Sequence, residues 1–228
     1  MSGRIATLCE PLDALLGGGV ERGTITEFFG EGGSGKSNIC MVLARNVAKA
    51  GKKAICIDTE GLSLERLFQI CGGDKDRAGA EALMKNIFIF DARDLDEQEE
   101  AVNKSIALSE QLEDIDLIIL DSATGQYRRY FGTDEEARAR QRLGLLITRL
   151  LRCARTRKIP VVITNQVYTD ISSDTFEPLG GHAVSHSSKA IIRVDRLGSG
   201  KRRAIVEKHR SIGEGERAEF KIVQDGII

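Results

Sequence analysis

The chain has 228 residues, of which 41% are hydrophobic and 29% are charged. This length and composition are those of one globular α/β domain with a sizeable core, so we expect residues 1–228 to form a single domain. The formal net charge of −1 excludes a protein that coats nucleic acid by bulk charge alone, although it leaves room for a local basic surface.

The sequence has no pattern typical of export or membrane insertion. No signal peptide opens the chain, and no apolar run approaches the ~18 residues that a membrane span needs. Five cysteines are scattered without a CxxC pair, which predicts buried thiols rather than disulfides or metal ligands. These features predict a cytoplasmic protein that has no membrane partner.

Short, β-branched apolar runs alternate with amphipathic stretches through most of the chain. Strands are predicted at 24–29, 53–58, 86–91, 115–122 and 160–165, and helices at about 35–50, 63–71, 94–112 and 136–157. This alternation predicts an α/β fold with a mostly parallel central sheet flanked by helices. Near the end, runs at 189–197 and 202–208 predict an antiparallel hairpin, and 217–223 predicts a further strand.

A glycine-rich loop joins the first predicted strand to the first predicted helix. It matches the motif G-x-x-x-x-G-K-[ST] at every fixed position, and its residues are Gly30, Glu31, Gly32, Gly33, Ser34, Gly35, Lys36 and Ser37. In such a loop the backbone N–H groups face phosphate oxygens, the lysine reaches the β and γ phosphates, and the last hydroxyl binds Mg²⁺. The motif therefore predicts that these residues bind ATP and Mg²⁺.

Side chains that complete such a site follow three other predicted strands. Asp121 closes the fourth strand and is predicted to bind the same Mg²⁺, because ligands bind where parallel strands end. Glu60 follows the second strand and Gln166 follows the fifth. We expect Glu60 to orient or activate water for ATP hydrolysis, and Gln166 to sense the γ-phosphate and couple it to the next loop.

Five segments resemble, in this order, the core of the RecA/RadA recombinases. They are DALLGGGV at 13–20, GTITE at 23–27, IDTEG at 57–61, ERL at 65–67 and VITNQV at 162–167. The resemblance runs from about residue 6 to the last residue and implies a RecA-like P-loop ATPase. The resemblance implies that Glu60 is the catalytic carboxylate and that Arg66 packs near the adenine. Two disordered DNA-binding loops are implied as well, one after the fourth strand and one after the fifth.

Two arginines match the first of those DNA loops, namely Arg128 and Arg140. They belong to a basic run at 128–158, which holds ten Arg or Lys residues against three acids. Tyr127 and Tyr130 adjoin them, and both rings are predicted to be available for stacking on bases, as aromatic side chains are with single strands. The run therefore predicts single-stranded or branched DNA as a ligand, the alternative being an ordinary solvated helix face.

Several departures separate the chain from a full recombinase. The family's N-terminal helical DNA-binding lobe and the linker motif that hooks subunits together have no counterpart in the sequence. The first loop has TDE at 133–135 where recombinases have Gly-Arg-Gly, and the second loop holds Asp170, Asp174 and Glu177 with no basic residue. Because acids repel DNA phosphates, we expect no strand exchange.

A core-only chain with EKHR at 207–210 is most similar to the archaeal RadB family of recombinase paralogues. This resemblance implies DNA binding, a role in DNA recombination and repair, and at most weak hydrolysis of ATP to ADP and phosphate. Lys208 and Arg210 resemble the paired lysines that bacterial RecA extends to the ATP of a neighbouring subunit; the alternative is two ordinary surface cations. The partners we expect are a RadA-like recombinase or a second copy of this chain.

A different class of protein shares the phosphate loop and the sheet. It comprises KaiC-like regulatory ATPases, which act on protein partners rather than on DNA. Arg128, Arg140 and the TNQV segment at 164–167 favour the recombinase branch. A third interpretation is a module that binds ATP only for structure, and the intact Glu60 argues against it.

Overall fold

A mixed sheet of nine strands forms the centre of the fold. The computed structural model describes residues 3–170, 175–178 and 182–228. Its strands are β1 Arg4–Ile5, β2 Val20–Glu21, β3 Ile25–Phe29, β4 Lys53–Asp58, β5 Ile87–Asp91, β6 Ile115–Asp121, β7 Val161–Asn165, β8 Val167–Asp170, β9 Thr175–Pro178, β10 Ala190–Gly198, β11 Lys201–His209, β12 Arg217–Val223 and β13 Gly226–Ile227. Its helices are α1 Glu10–Leu15, α2 Lys36–Lys49, α3 Leu64–Ile70, α4 Arg77–Met84, α5 Leu95–Gln111, a 3-10 helix Tyr127–Tyr130, α6 Glu136–Arg157 and α7 His182–Ser185.

The strand order of the main sheet is β13-β12-β11-β10-β3-β7-β6-β4-β5. The strands from β10 to β5 run parallel to one another, whereas β10, β11, β12 and β13 pair antiparallel in succession. The predicted α/β fold with a mostly parallel sheet and antiparallel C-terminal strands is confirmed. The carboxyl ends of the parallel strands meet at one edge, which is where such sheets bind ligands.

Two hydrophobic clusters form the core, one on each face of the sheet. Helices α1 to α4 contribute to the first cluster, and α5, α6 and α7 contribute to the second. Because side chains alternate along a strand, β6 supplies both clusters, with Leu117 and Ile119 on one face and Ile118 and Leu120 on the other. Strands buried on both faces explain the nearly continuous apolar runs in the sequence.

The predicted boundaries of the long elements agree closely with the structure. Strand β4 at 53–58, helix α6 at 136–157 and strand β12 at 217–223 have the predicted bounds. The short elements were missed, among them the helices α1 and α4, and so was the parallel pairing of β10 with β3. Short helices span too few turns to show a clear hydrophobic period, and strand pairing depends on distant segments.

The two loops after β6 and β7 are more regular than the recombinase resemblance implied. Residues 127–130 form the 3-10 helix, and β8 and β9 pair antiparallel as a separate two-stranded sheet. The expectation of two wholly disordered loops is therefore wrong for these segments. Asp174, one of the acids in the second loop, lies outside the described residues.

Two further sequence predictions concern the cysteines and membrane insertion. All five cysteines are free and buried, which confirms the prediction of buried thiols. Among the helices that the structure describes, none is long and apolar enough to cross a membrane.

A buried carboxylate, Glu27, ties the centre of the sheet together. It lies on β3 with no exposed surface. Its Oε1 accepts from Nδ2 of Asn165 at 2.9 Å, and its Oε2 accepts from the Ser188 hydroxyl at 3.2 Å. The Thr124 hydroxyl in turn donates to Oδ1 of Asn165 at 2.5 Å. Strand β3 is thereby linked to the end of β7, to the start of β10 and to the segment after β6.

The ionisation of Glu27 opposes folding. Burial raises the pKa of Glu27, and the hydrogen bonds from Asn165 and Ser188 and the charge of Lys208 offset this only in part. Because the folded pKa lies above the unfolded one, the cost is absent below about pH 4.3, where both states are protonated, and grows as the pH rises through the folded pKa.

Replacement of Glu27 by Gln should therefore alter the pH dependence of stability. In Glu27→Gln the cost of ionisation is lost while an amide oxygen still accepts a hydrogen bond. The free energy of unfolding of the variant, relative to the wild type, should rise as the pH increases above about 4.3. Urea unfolding across this range measures the difference, with the exposed Glu113→Gln as control. A difference that stays constant with pH would contradict the prediction.

Candidate functional site

The phosphate loop at 30–37 leaves β3 and leads into α2. Gly30 has a φ of +150°, and a Cβ there would lie 2.3 Å from the carbonyl oxygen of Val194. Gly35, with a φ of +106°, is the N-cap of α2. Glycine permits both the close approach of β10 and the left-handed turn into the helix. The first backbone N–H groups of α2 are thereby directed into the loop, as an anion site requires.

Lys36 is buried inside this loop. Its Nζ donates to the carbonyl oxygens of Gly30 and Glu31, each at 2.9 Å, and to the Ser34 hydroxyl at 3.3 Å. Burial lowers the pKa of Lys36, against the opposing charges of Asp121 and Glu60. A desolvated ammonium held on backbone carbonyls fits the phosphate chain of a nucleotide, because phosphate oxygens are stronger acceptors.

Asp121 lies at the end of β6 next to the phosphate loop. Burial raises the pKa of this carboxyl, while hydrogen bonds from the hydroxyls of Ser37 and Thr164 lower it. The two residues predicted to bind Mg²⁺, Ser37 and Asp121, are therefore in contact. A hydroxyl and a carboxylate beside a phosphate site are oxygen ligands of the kind Mg²⁺ takes together with substrate phosphates, so this donor set fits the ion.

Glu60 is positioned by the turn that follows β4. The backbone N–H groups of Glu60 and Gly61 each donate to Oδ1 of Asp58 at 3.0 Å. The Glu60 carboxylate then accepts from the Ser122 hydroxyl at 2.6 Å and from Nε2 of Gln166 at 2.8 Å. The ends of β4, β6 and β7 therefore meet at one carboxylate.

Gln166 joins this carboxylate to the first predicted DNA loop. Its amide oxygen accepts from Nη1 of Arg128 at 2.8 Å while its amide nitrogen donates to Glu60. Arg128 lies in the 3-10 helix and is exposed. The structure thus brings together Glu60, Gln166 and Arg128, which sequence reasoning had assigned to two different sites.

Two further arginines of the basic run at 128–158 differ in their surroundings. Arg140 is exposed and pairs with Glu136, one turn earlier in α6. Arg142, by contrast, is bound by the carboxylates of Asp96 and Glu99 on α5, which raise its pKa. An arginine held by two carboxylates has its charge already offset, so Arg140 is the more available of the two.

The prediction that both tyrosines are available for base stacking is wrong for Tyr127. Its side chain is buried, with 1% of its surface exposed, and its hydroxyl donates to Glu136 at 3.1 Å. The 3-10 helix turns this ring into the core, where it joins the cluster beneath α6. Tyr130 is half-buried, so part of its ring remains at the surface.

Arg66 lies on α3 and contacts the C-terminal strands. Its guanidinium donates to the carbonyl oxygens of Val223 and Gln224, each at 2.6 Å, and to Oδ1 of Asn38 at 2.9 Å. Asn38 follows Ser37 in α2. Arg66 therefore contacts the residue that directly follows the phosphate loop. Its role near the adenine stays a prediction.

Lys208 and Arg210, predicted to reach a neighbouring subunit, are both exposed. Lys208 donates from Nζ to the carbonyl oxygen of Ser185 at 2.9 Å, and Arg210 lies 3.1 Å from Glu21. Neither of these contacts involves the phosphate loop of the same chain. A role at an ATP site would therefore require a second molecule.

Sequence reasoning overlooked residues that position the site without touching a ligand. Asp58 organises the turn that carries Glu60, and the Thr59 hydroxyl accepts from the backbone N–H of Ser122 at 2.8 Å. Gln126 donates to the carbonyl oxygens of Thr59 and Ala92 at 3.1 and 2.9 Å. An Asp at a strand end before a turn is a detectable signal, whereas the partners of Gln126 are set only by the fold.

The fold and this site together define a RecA-type P-loop protein. The sequence model of the Rad51 family matches residues 3–228. A solved structure titled as that of the RadB recombinase superposes with a TM-score of 0.81, at 30% identity, and covers 98% of each chain.

Curated relatives give the same result. A DNA repair and recombination protein RadB of Methanococcoides burtonii is 47% identical over 98% of this chain and 97% of its own length. One of the same name from Halobacterium salinarum is 42% identical over 98% of this chain and 94% of its own length. The chain belongs to the Rad51 family, within the group of archaeal RadB proteins, and the recombinase resemblance is confirmed.

Proposed function

We propose that this protein binds ATP with Mg²⁺ and also binds DNA, and that it assists a full recombinase in DNA recombination and repair. The observation that carries the proposal is the hydrogen-bonded chain from Arg128 through Gln166 to Glu60. One end is an exposed arginine beside the first loop, and the other is the carboxylate at the phosphate site. A ligand bound at either end would therefore act on the other end through this amide.

In this proposal the nucleotide is held by the phosphate loop, with Lys36 on the phosphates and Ser37 and Asp121 on Mg²⁺. The ion supplies charge neutralisation for the phosphates when it is bound. Glu60 orients water through its Oε2, because Ser122 and Gln166 both donate to its Oε1. Weak ATP hydrolysis is part of the proposal because the resemblance to RadB implies it.

Assistance rather than strand exchange follows from charge. The second loop carries acids where a strand-exchanging loop needs cations, and the first loop has acids at 134 and 135. Membership of the Rad51 family favours this role over a KaiC-like one. Under the proposal, residues 1–228 act as one ATPase core, and a RadA-like recombinase performs the exchange.

The nucleotide site is tested by Lys36→Ala. The substitution removes the buried ammonium directed at the phosphates, so ATP affinity should fall at least about tenfold, or roughly 1.4 kcal/mol. The matched control is Lys49→Ala, at the exposed end of the same helix. Calorimetric titration with ATP measures both. Equal affinity in Lys36→Ala and wild type would refute the site.

The DNA surface is tested by Arg128→Ala combined with Arg140→Ala. If both arginines contact phosphates, binding should weaken for all sequences, and the salt slope for single strands should fall by about 0.7 per contact. Arg155→Ala is the control, since this exposed arginine lies on the same helix as Arg140 and about 22 Å from it. Binding is followed by fluorescence anisotropy at several salt concentrations. A slope identical to that of the wild type would place DNA elsewhere.

Lys208 and Arg210 are proposed to contact ATP bound to a partner, which is a second copy or a RadA-like recombinase. Their exposure supports this role. A charge-assisted hydrogen bond to phosphate contributes roughly 1.5–3 kcal/mol, so ATP should strengthen association and ADP should not.

The double variant Lys208→Ala with Arg210→Ala tests this role. It should lose the ATP dependence of association while it binds ATP as the wild type does. Lys201→Ala, an exposed cation on the same strand, is the control. Sedimentation velocity with ATP, with ADP and without nucleotide, alone and with a RadA-like recombinase, gives the answer. Association of equal strength in all three conditions would refute the role.

A further inference from the structure

Two arginines on the C-terminal hairpin lie against the phosphate loop. Nη2 of Arg202 donates to the carbonyl oxygen of Gly33 at 3.1 Å. A Cβ on Gly33 would lie 3.8 Å from Nη1 of Arg196. Arg196 and Arg202 are directly opposite each other in the pairing of β10 with β11. Like charges in such a pair destabilise a hairpin, unless an anion binds between or beside them.

No carboxylate offsets these two charges within the described parts of the chain. Other arginines of the same hairpin do have such partners. Arg193 lies 3.3 Å from Glu207, and Arg203 lies 2.9 Å from Glu219. Among the described residues, the guanidinium of Arg202 donates hydrogen bonds only to carbonyl oxygens, those of Gly33 and Lys201. Within that part of the chain, Arg196 and Arg202 thus form no ion pair.

Arg202 is also partly removed from water. Its Nε is buried and has no hydrogen-bond partner among the described residues. The Nε atoms of Arg193 and Arg203 share this state, but carboxylates offset their charge. Burial lowers the pKa of Arg202, and the charge of Arg196 lowers it further. The cation resembles Lys36, which is likewise desolvated and held on carbonyl oxygens of the loop.

The surroundings of Arg202 indicate the anion that completes it. Its Nε lies 3.6 Å from the position of a Cβ on Gly35, the N-cap of α2. A helix N-terminus and a cation converge at this point, and both attract phosphate. On the side of Arg196, a cavity of about 340 Å³ lies between the loop and β10, and its lining is Gly30, Glu31, Val167, Arg193, Asp195 and Arg196.

We propose that Arg202, supported by Arg196, is a second phosphate-binding cation of the nucleotide site, contributed by the hairpin rather than by the phosphate loop. This inference rests on the proposed binding of ATP. Gly33 holds the guanidinium in place without nucleotide, as Gly30 and Glu31 hold Lys36. When a polyphosphate binds, Arg202 exchanges the carbonyl for a phosphate oxygen, and the repulsion between the two arginines is relieved.

The test compares Arg202→Ala with Arg203→Ala, the adjacent arginine that pairs with Glu219. Affinities for ATP and for inorganic tripolyphosphate are measured by calorimetry, and DNA binding is measured on the same proteins. For Arg202→Ala we expect a loss of about tenfold for both ATP and tripolyphosphate, since the contact is with phosphate. Arg196→Ala should lose less in the same direction, and Arg203→Ala should bind as the wild type does.

Three outcomes would overturn the inference: equal affinities in Arg202→Ala and Arg203→Ala, a loss for ATP without one for tripolyphosphate, or a loss confined to DNA. If Arg202→Ala does not fold, Arg202→Lys carries the test. This variant must melt as the wild type does and bind tripolyphosphate at least about twofold more weakly, because lysine lacks the planar fork. Wild-type affinity in it overturns the inference. A failure of the wild type itself to bind ATP would instead refute the proposed function.

Discussion

The parallel direction of β3, β4, β6 and β7 is the constraint on which the site depends. Because these strands end at one edge, the phosphate loop, Glu60, Asp121 and Gln166 emerge side by side. Site residues that lie as far apart in the sequence as 30 and 166 are thereby brought together at the ends of strands. The site is therefore as rigid as the sheet, and its fine positioning is left to hydrogen bonds between neighbouring strand ends, such as those of Asp58 and Thr59.

Charged side chains buried near the ends of the strands reduce the free energy of unfolding. Glu27, Asp121 and Lys36 are all buried, and burial shifts the pKa of each toward its neutral form. A core of apolar residues in their place would be cheaper to fold. What the buried groups provide is direction, since Glu27 and Asp121 have partners on or beside other strands and Lys36 is held by the carbonyl oxygens of its own loop. The buried charges that help to position the strand ends thus also lower the stability of the fold.

How much the sequence could predict depended on the range of the interaction. The phosphate loop is defined by spacing over eight residues, and helix α6 by a hydrophobic period over many turns, so both were predicted with correct bounds. The burial of Tyr127 could not be predicted, because the 3-10 helix that directs it inward has no periodic signature. The proximity of Arg196 and Arg202 was not predicted for another reason. They face each other because of the register of the hairpin, which residue types alone do not determine.

The chain from Arg128 through Gln166 to Glu60 has a thermodynamic consequence. A ligand that draws Arg128 away breaks one hydrogen bond of Gln166 and changes the free energy of the amide that Glu60 also uses. The coupling between the two ends is reciprocal. If a ligand at one end changes the affinity of the other end for its ligand by some factor, the second ligand changes the affinity for the first by the same factor. Under the proposed function, a single glutamine side chain would thereby couple the binding of DNA to the binding of ATP.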